Sequence, residues 1–186
     1  GVKFASAEAL SATVAAVLAA ADVKLANGQT VVDTRLMDGS RMLVILPPTA
    51  VNGPTMTLVK MPVHSMTWEM LVHYESISQE AMELLKLAVP ARRNVLVAGG
   101  YSSGKTTVMN LICEFVPANK RLIVVQTDYD LQVRHPNSVF LAAGESDGPN
   151  LSDLITTASK MRGDWMAIGE LLGPEAMRAM EIFSRG

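Results

Sequence analysis

Asn94-Val95-Leu96-Val97-Ala98-Gly99-Gly100-Tyr101-Ser102-Ser103-Gly104-Lys105-Thr106-Thr107-Val108 is the stretch on which the reading of this chain turns. Val95 to Ala98 is a short apolar run that reads as a buried strand. It enters Gly99-Gly100-Tyr101-Ser102-Ser103-Gly104-Lys105-Thr106, a full match to the phosphate-binding P-loop pattern, and Thr107, Val108, Met109, Leu111 and Ile112 continue as a helix. Strand, glycine loop and helix in that order is the context the motif requires. The backbone N–H groups from Tyr101 to Thr106 can wrap an anion if Gly99 and Gly104 take unusual φ/ψ and leave room for it. The helix starting near Lys105 aims its positive end at the phosphates, Lys105 reaches the β/γ oxygens, and the Thr106 hydroxyl holds Mg²⁺. The competing reading is a plain glycine-rich turn.

The 186 residues suit one large domain or two small ones. At 49% hydrophobic residues the chain can build a core, and a net charge of -2 argues against a large nucleic-acid surface. Cys113 is the single cysteine and falls on the apolar helix after the P-loop, so no disulfide is expected and a reducing, cytoplasmic setting fits. No apolar run approaches a membrane span, and the Ala-rich start contains Glu8 and Asp22, unlike a signal peptide.

Before the P-loop, Ser6 caps a helix whose apolar face is Leu10, Val14, Val17, Leu18 and Ala21. Thr30 to Leu36 and Ser40 to Leu46 read as strands of a hairpin turned by Asp38-Gly39, and Thr55 to Lys60 as a third strand. A helix followed by antiparallel strands predicts a small α+β domain over residues 1–62. Residues 63–75 read as a linker with a connecting helix, and residues 76–186 as the P-loop domain. His64 and His73 have no partner at metal-ligand spacing and read as surface or interface histidines.

Three blocks carry a resemblance: Val32 to Arg41 with Leu46-Pro47-Pro48; Gly53 to Leu58 with Lys60; and Arg93 to Ala98 with the P-loop. On these the chain resembles the secretion ATPase superfamily of type II and type IV secretion and pilus assembly, nearest its Tad/Flp branch. The resemblance implies an N-terminal α/β sensor-like domain followed by a RecA-like ATPase core, in a hexameric ring working with an inner-membrane platform protein at the cytoplasmic face of the membrane. It also implies that Arg35 and Arg41 approach the nucleotide phosphates. Planar, permanently charged guanidinium groups suit that task, and two solvated surface arginines are the alternative.

After the P-loop, Leu122 to Val125 reads as the second strand of the ATPase sheet, followed by Gln126-Thr127-Asp128-Tyr129-Asp130-Leu131. The family has an acidic Glu-Asp-x-x-Glu-Leu motif here. One alignment puts Gln126 and Thr127 on the first two acids; a one-residue deletion instead keeps Asp128 as the aspartate. Gln and Thr can position water but cannot take its proton. Asp128 and Asp130 as simple turn residues is the competing reading. Asn150 caps a helix with Leu151, Leu154, Ile155, Ala158 and Met161 facing inward. Trp165 to Ile168 then reads as a strand ending in Gly169-Glu170, the place of a Walker B carboxylate, so Glu170 is the candidate for orienting metal-bound water or activating the nucleophile. A last helix runs from Glu175 to Phe183, where the resemblance leads one to expect more of the ATPase domain. Val59, Leu172, Tyr101 and Ser102 depart from the family's residues near the phosphates. The expectation is therefore an α/β protein whose P-loop core is incomplete, binding ATP with Mg²⁺ and hydrolysing it; a degenerate nucleotide-binding paralogue with an assembly role is the main alternative. A stand-alone small-molecule kinase, which would need an arginine-bearing lid, ranks behind both.

Overall fold

The structure is a computed structural model that describes residues 4–23, 25–60, 66–127, 129–143 and 148–185. It divides into two compact units, residues 1–65 and 66–186.

In the first unit, helix α1 (Ala7–Ala20) starts where expected, with the Ser6 hydroxyl accepting the Ala9 N–H at 3.2 Å. Three antiparallel strands follow, β1 (Val31–Arg35), β2 (Arg41–Ile45) and β3 (Thr55–Val59), in the order β1-β2-β3. The strand period of two sends Val32, Met42 and Val44 to one face, where they bury Val14 and Leu18 of α1. Asp33 and Arg41 lie on the other face. The hairpin tip holds its shape through Asp38, whose carboxylate accepts the Ser40 N–H and hydroxyl at 2.9 Å each, and through Gly39 at φ 83°.

The second unit is a three-layer α/β arrangement around a parallel sheet. Its helices are α2 (Trp68–His73), α3 (Gln79–Ala88), α4 (Lys105–Glu114), α5 (Leu151–Ser159) and α6 (Glu175–Phe183). The sheet contains β4 (Leu122–Gln126), β5 (Ser138–Ala142) and β6 (Trp165–Ile168) in the order β5-β4-β6. All five residues of β4 are buried, as the central strand of a parallel sheet requires. Leu122 and Val124 face one layer with Leu111 and Ile112 of α4, while Ile123 and Val125 face Leu154, Ile155 and Ala158 of α5. The helix expected within the connector packs inside this unit: Trp68 and Leu71 are buried, and the Trp68 ring stacks on Phe115 with centroids 4.9 Å apart.

The Val95 to Ala98 run departs from expectation. Residues 94–98 form no strand, and none of their backbone groups makes a hydrogen bond to the sheet among the described residues. The alternation survives, because Val95 and Val97 pack against the α4-side core while Leu96 is 80% exposed. The apolar pattern predicts burial within the sheet, but among the described residues only the Val95 and Val97 face of the segment has neighbours to bury against. An apolar cleft runs beside it, lined by Val95, Cys113, Trp165, Met166, Ala167 and Phe183.

Ile155 is fully buried between α5 and β4. Replacing it with alanine is expected to lower the unfolding free energy of the chain by about 2–5 kcal/mol in urea melts. A loss below about 1 kcal/mol would mean that the α5 layer contributes little to the second unit's core.

Candidate functional site

The P-loop links residues 94–98 to α4 and is exposed at its tip, where Tyr101 reaches 99% exposure. Of the two glycines expected to adopt unusual dihedrals, Gly104 does so, at φ 84°, as the N-cap of α4. Gly99 does not, and a Cβ there would sit 2.6 Å from the Ser103 Oγ, so that hydroxyl would have to turn away to admit one. The second left-handed residue of the loop is Ser102, at φ 56°. Since Val108 N–H is the first to bond back, to Gly104 O at 3.0 Å, the N–H groups of Lys105, Thr106 and Thr107 have no intrahelical partner. Together with the helix dipole they form an electropositive mouth suited to phosphate oxygens. No side chain caps α4, so nothing from the cap position competes for those donors. The Lys105 ammonium donates to Gly100 O at 2.7 Å, so it lies over the loop it would serve.

Glu170 lies two residues beyond the end of β6 and is exposed. The Gly169 N–H bonds Val125 O at 2.8 Å, and a Cβ on Gly169 would lie 3.2 Å from the Gln126 Cβ. Glu170 is therefore held at the same carboxyl-terminal edge of the sheet as Gln126 and Thr127. This is the edge at which parallel α/β sheets present ligand-binding loops. Asn110 of α4 joins the region, its side-chain oxygen accepting the Gln132 N–H at 2.9 Å. Asn110 has no signature in the sequence that would have singled it out.

Gln126 itself does something other than position water. It is 3% exposed, and its Oε1 accepts the Leu131 N–H at 2.9 Å, closing the loop that follows β4. An amide makes this bond without burying a charge, which a glutamate at the same place would have to do. Asp128, the acid retained in one alignment, lies outside the described residues. His64 and most of the polar loop at residues 144–149 also lie outside them.

Arg35 and Arg41 are both in the first unit. Arg41 donates through Nε and Nη2 to the two Asp33 oxygens at 3.0 and 2.8 Å, a bidentate pair with both side chains about two-fifths exposed. The Arg41 guanidinium holds the Asp33 carboxyl below the usual carboxylate range. Arg35 Nη1 donates to Gly39 O at 3.1 Å across the hairpin. On the opposite side of the chemistry, Cys113 is buried and desolvation pushes its thiol up to about 12, which leaves it an inert packing residue.

The donors suited to a divalent ion are the Thr106 hydroxyl and the Glu170 carboxylate. Both are hard oxygen donors of the kind a divalent ion bound to phosphates takes.

The family described as "Type II/IV secretion system protein" matches residues 1–183, nearly the whole sequence. The chain belongs to that family. Among curated relatives, the chain is 28% identical over 151 residues to a putative conjugal transfer protein of Mycobacterium tuberculosis, covering 78% of the chain and 43% of the relative. It is 26% identical over 151 residues to the conjugal transfer protein TrbB of Rhizobium radiobacter, covering 80% and 46%. The chain thus spans less than half the length of these curated relatives. Its fold is similar to that of the VirB11 ATPase from the Brucella suis type IV secretion system, solved in complex with sulphate, with TM-score 0.53 at 23% identity over 96% of the chain and 60% of that structure. It is also similar to the pilus retraction motor PilT with bound ADP, with TM-score 0.58 at 18% identity over 83% of the chain and 43% of that structure. The mixed α/β fold, with an antiparallel three-stranded sheet and a parallel one, is accordingly the fold of secretion and pilus ATPases.

Proposed function

We propose that the protein is an ATP-binding and ATP-hydrolysing motor subunit of a secretion or pilus assembly machine. The observation that carries this reading is the P-loop at the start of α4, with the unpaired N–H groups of Lys105 to Thr107, on the sheet edge that also holds Glu170. In this reading Gly99, Gly100, Tyr101, Ser102, Ser103, Gly104 and Thr107 wrap the phosphates through the backbone. Lys105 neutralises the β/γ oxygens. Thr106 and Glu170 would hold Mg²⁺, which would supply charge neutralisation at the phosphates. Glu170 orients or deprotonates the attacking water. Asp128 is a further carboxylate proposed for the same step. Arg35 and Arg41 are proposed to contribute guanidinium contacts to phosphate, Arg41 exchanging part of its pairing with Asp33 for it. Relatives named as secretion, conjugation and pilus proteins support a place in such a machine; a homo-oligomeric, hexameric ring working with an inner-membrane platform protein at the cytoplasmic face of the membrane is the assembly proposed for it.

A second reading, a nucleotide-binding paralogue with an assembly role and little hydrolysis, is favoured by Gln126. Its amide is committed to Leu131 in place of an acid. The two readings separate in one pair of measurements. A fluorescent ATP analogue with Mg²⁺ should bind saturably to the protein, and phosphate release should accompany binding in the oligomer. Binding without release, together with turnover gained by the Gln126→Glu, Thr127→Asp double variant, would establish the second reading. Absence of binding overturns both.

A further inference from the structure

Glu170 stands in a short loop between the end of β6 at Ile168 and the start of α6 at Glu175. The loop is fastened on both sides of it. On the amino side the Gly169 N–H bonds Val125 O at 2.8 Å, tying the loop to β4. On the carboxyl side Leu171 packs against the α5-side core. The next two residues are held by one side chain. Glu175 Oε1 accepts the Leu172 N–H at 2.8 Å and the Gly173 N–H at 2.6 Å. The Leu172 side chain is exposed and adds no anchor of its own.

Glu175 lies in the first turn of α6, where a carboxylate favours the positive end of the helix dipole. Plain capping of that end is the alternative role, and the hydrogen bonds do not fit it alone. A capping side chain satisfies orphan N–H groups of the helix itself. Glu175 instead bonds two N–H groups that precede the helix, while the Ala176 and Met177 N–H groups bond Gly173 O and Pro174 O at 3.1 Å each. Its own N–H, first, and then those of Leu172 and Gly173 hold its carboxyl below the usual range, so it is ionised when it accepts them. Gly173 suits the same contact. A Cβ there would lie 2.9 Å from Glu175 Oε2 and 3.4 Å from Oε1, so a side chain at this position pushes the carboxylate off the loop.

We propose that Glu175 is a positioning residue for hydrolysis, holding the backbone at Glu170 in place on the sheet edge it shares with the P-loop. It fixes the carboxyl side of Glu170 as the Gly169–Val125 bond fixes the amino side. This role rests on the one proposed above for Glu170 and adds what keeps that residue in register. A displacement of about 1 Å at a reacting group can cost on the order of 10²-fold in rate. An exposed carboxylate on a loop has little packing of its own to prevent one, and the fastened ends take that part.

The test pairs amide hydrogen exchange with phosphate release on the full 186-residue chain. In the unaltered protein the Leu172 and Gly173 amides are expected to exchange slowly. Glu175→Ala should speed both about 10-fold or more, and Glu175→Gln, which keeps an acceptor oxygen, should retain most of the protection. With Mg²⁺ and ATP, Glu175→Ala and Gly173→Ala should each lower kcat about 30-fold with little change in the ATP concentration for half-saturation, and Glu175→Gln should keep most of the rate. Glu80→Ala, which removes the carboxylate from the first turn of α3, should leave turnover unchanged. In a Glu170→Gln background, Glu175→Ala should cost less than about 3-fold more, because no base is left to position. An undiminished loss in that background would mean that Glu175 acts without Glu170 and overturns the proposal, as does a loss of ATP affinity equal to the loss of rate. Fast exchange of both amides in the unaltered protein overturns the clamp while leaving the reading of Glu170 intact. Slow exchange with no phosphate release by the unaltered protein overturns the hydrolytic role of Glu170 and the positioning role with it.

Discussion

Lys105→Ala is expected to weaken ATP binding about 100-fold and to leave no measurable turnover, because it deletes the only side-chain charge of the P-loop. The side chain is half-buried and its ammonium bonds one carbonyl, Gly100 O at 2.7 Å, while α4 is anchored elsewhere by Leu111, Ile112 and Cys113. The variant should therefore fold normally, and a thermal melt beside the binding titration separates lost binding from lost structure. The backbone donors of Lys105, Thr106 and Thr107 remain in the variant, so residual weak binding of phosphate is consistent with the site. Wild-type affinity and turnover in the variant would remove the P-loop from the mechanism.

Glu170→Gln is expected to split binding from chemistry. The amide has the size of the carboxylate and keeps a metal-directed oxygen, but it cannot accept a proton. Turnover should fall by about 10²–10⁴-fold with little change in the ATP concentration needed for half-saturation. Glu170 is exposed and follows Gly169, whose N–H bonds Val125 O at 2.8 Å, so the substitution leaves the strand end in place. A fall in affinity equal to the fall in rate would make Glu170 a metal ligand without a role in the proton transfer. Unchanged turnover would transfer the chemistry to another carboxylate, and Asp128 is the next candidate.

Acid should act on both units through their pairs. Asp33 and Asp164 have carboxyls held below their ordinary range by Arg41 and by the Arg121 N–H respectively. Groups depressed in the folded state contribute stability above the unfolded value near 4, and that contribution is lost as pH falls through the folded values. Both pairs are partly exposed, so salt screens a share of the effect.

Much of this protein could be read from residue order alone. The helix cap at Ser6, the Asp38-Gly39 hairpin, the burial of β4 and the P-loop between residues 99 and 106 are local events. Each depends on side-chain periodicity or on a turn residue a few positions away; the fold bears out the first three and, for the loop, the start of α4 at Gly104-Lys105. The resemblance to secretion ATPases was equally legible, because it rests on contiguous blocks of sequence. What the order of residues could not decide was partnership across space. Val95 to Ala98 has the pattern of a buried strand, yet pairing depends on which strands lie alongside, and here the sheet is β5-β4-β6. Gln126 read as a damaged catalytic acid, and only packing brought its oxygen to the Leu131 N–H. For Arg41 the resemblance implies an approach to the phosphates, and only the β1–β2 register shows its pairing with Asp33. Asp164 precedes β6 with no partner nearby in the sequence, and only the tertiary structure brings it to the Arg121 N–H, Arg92 and Lys120. Local periodicity is written in neighbouring residues; hydrogen-bond partners and charge clusters are settled by distances that only the folded chain creates.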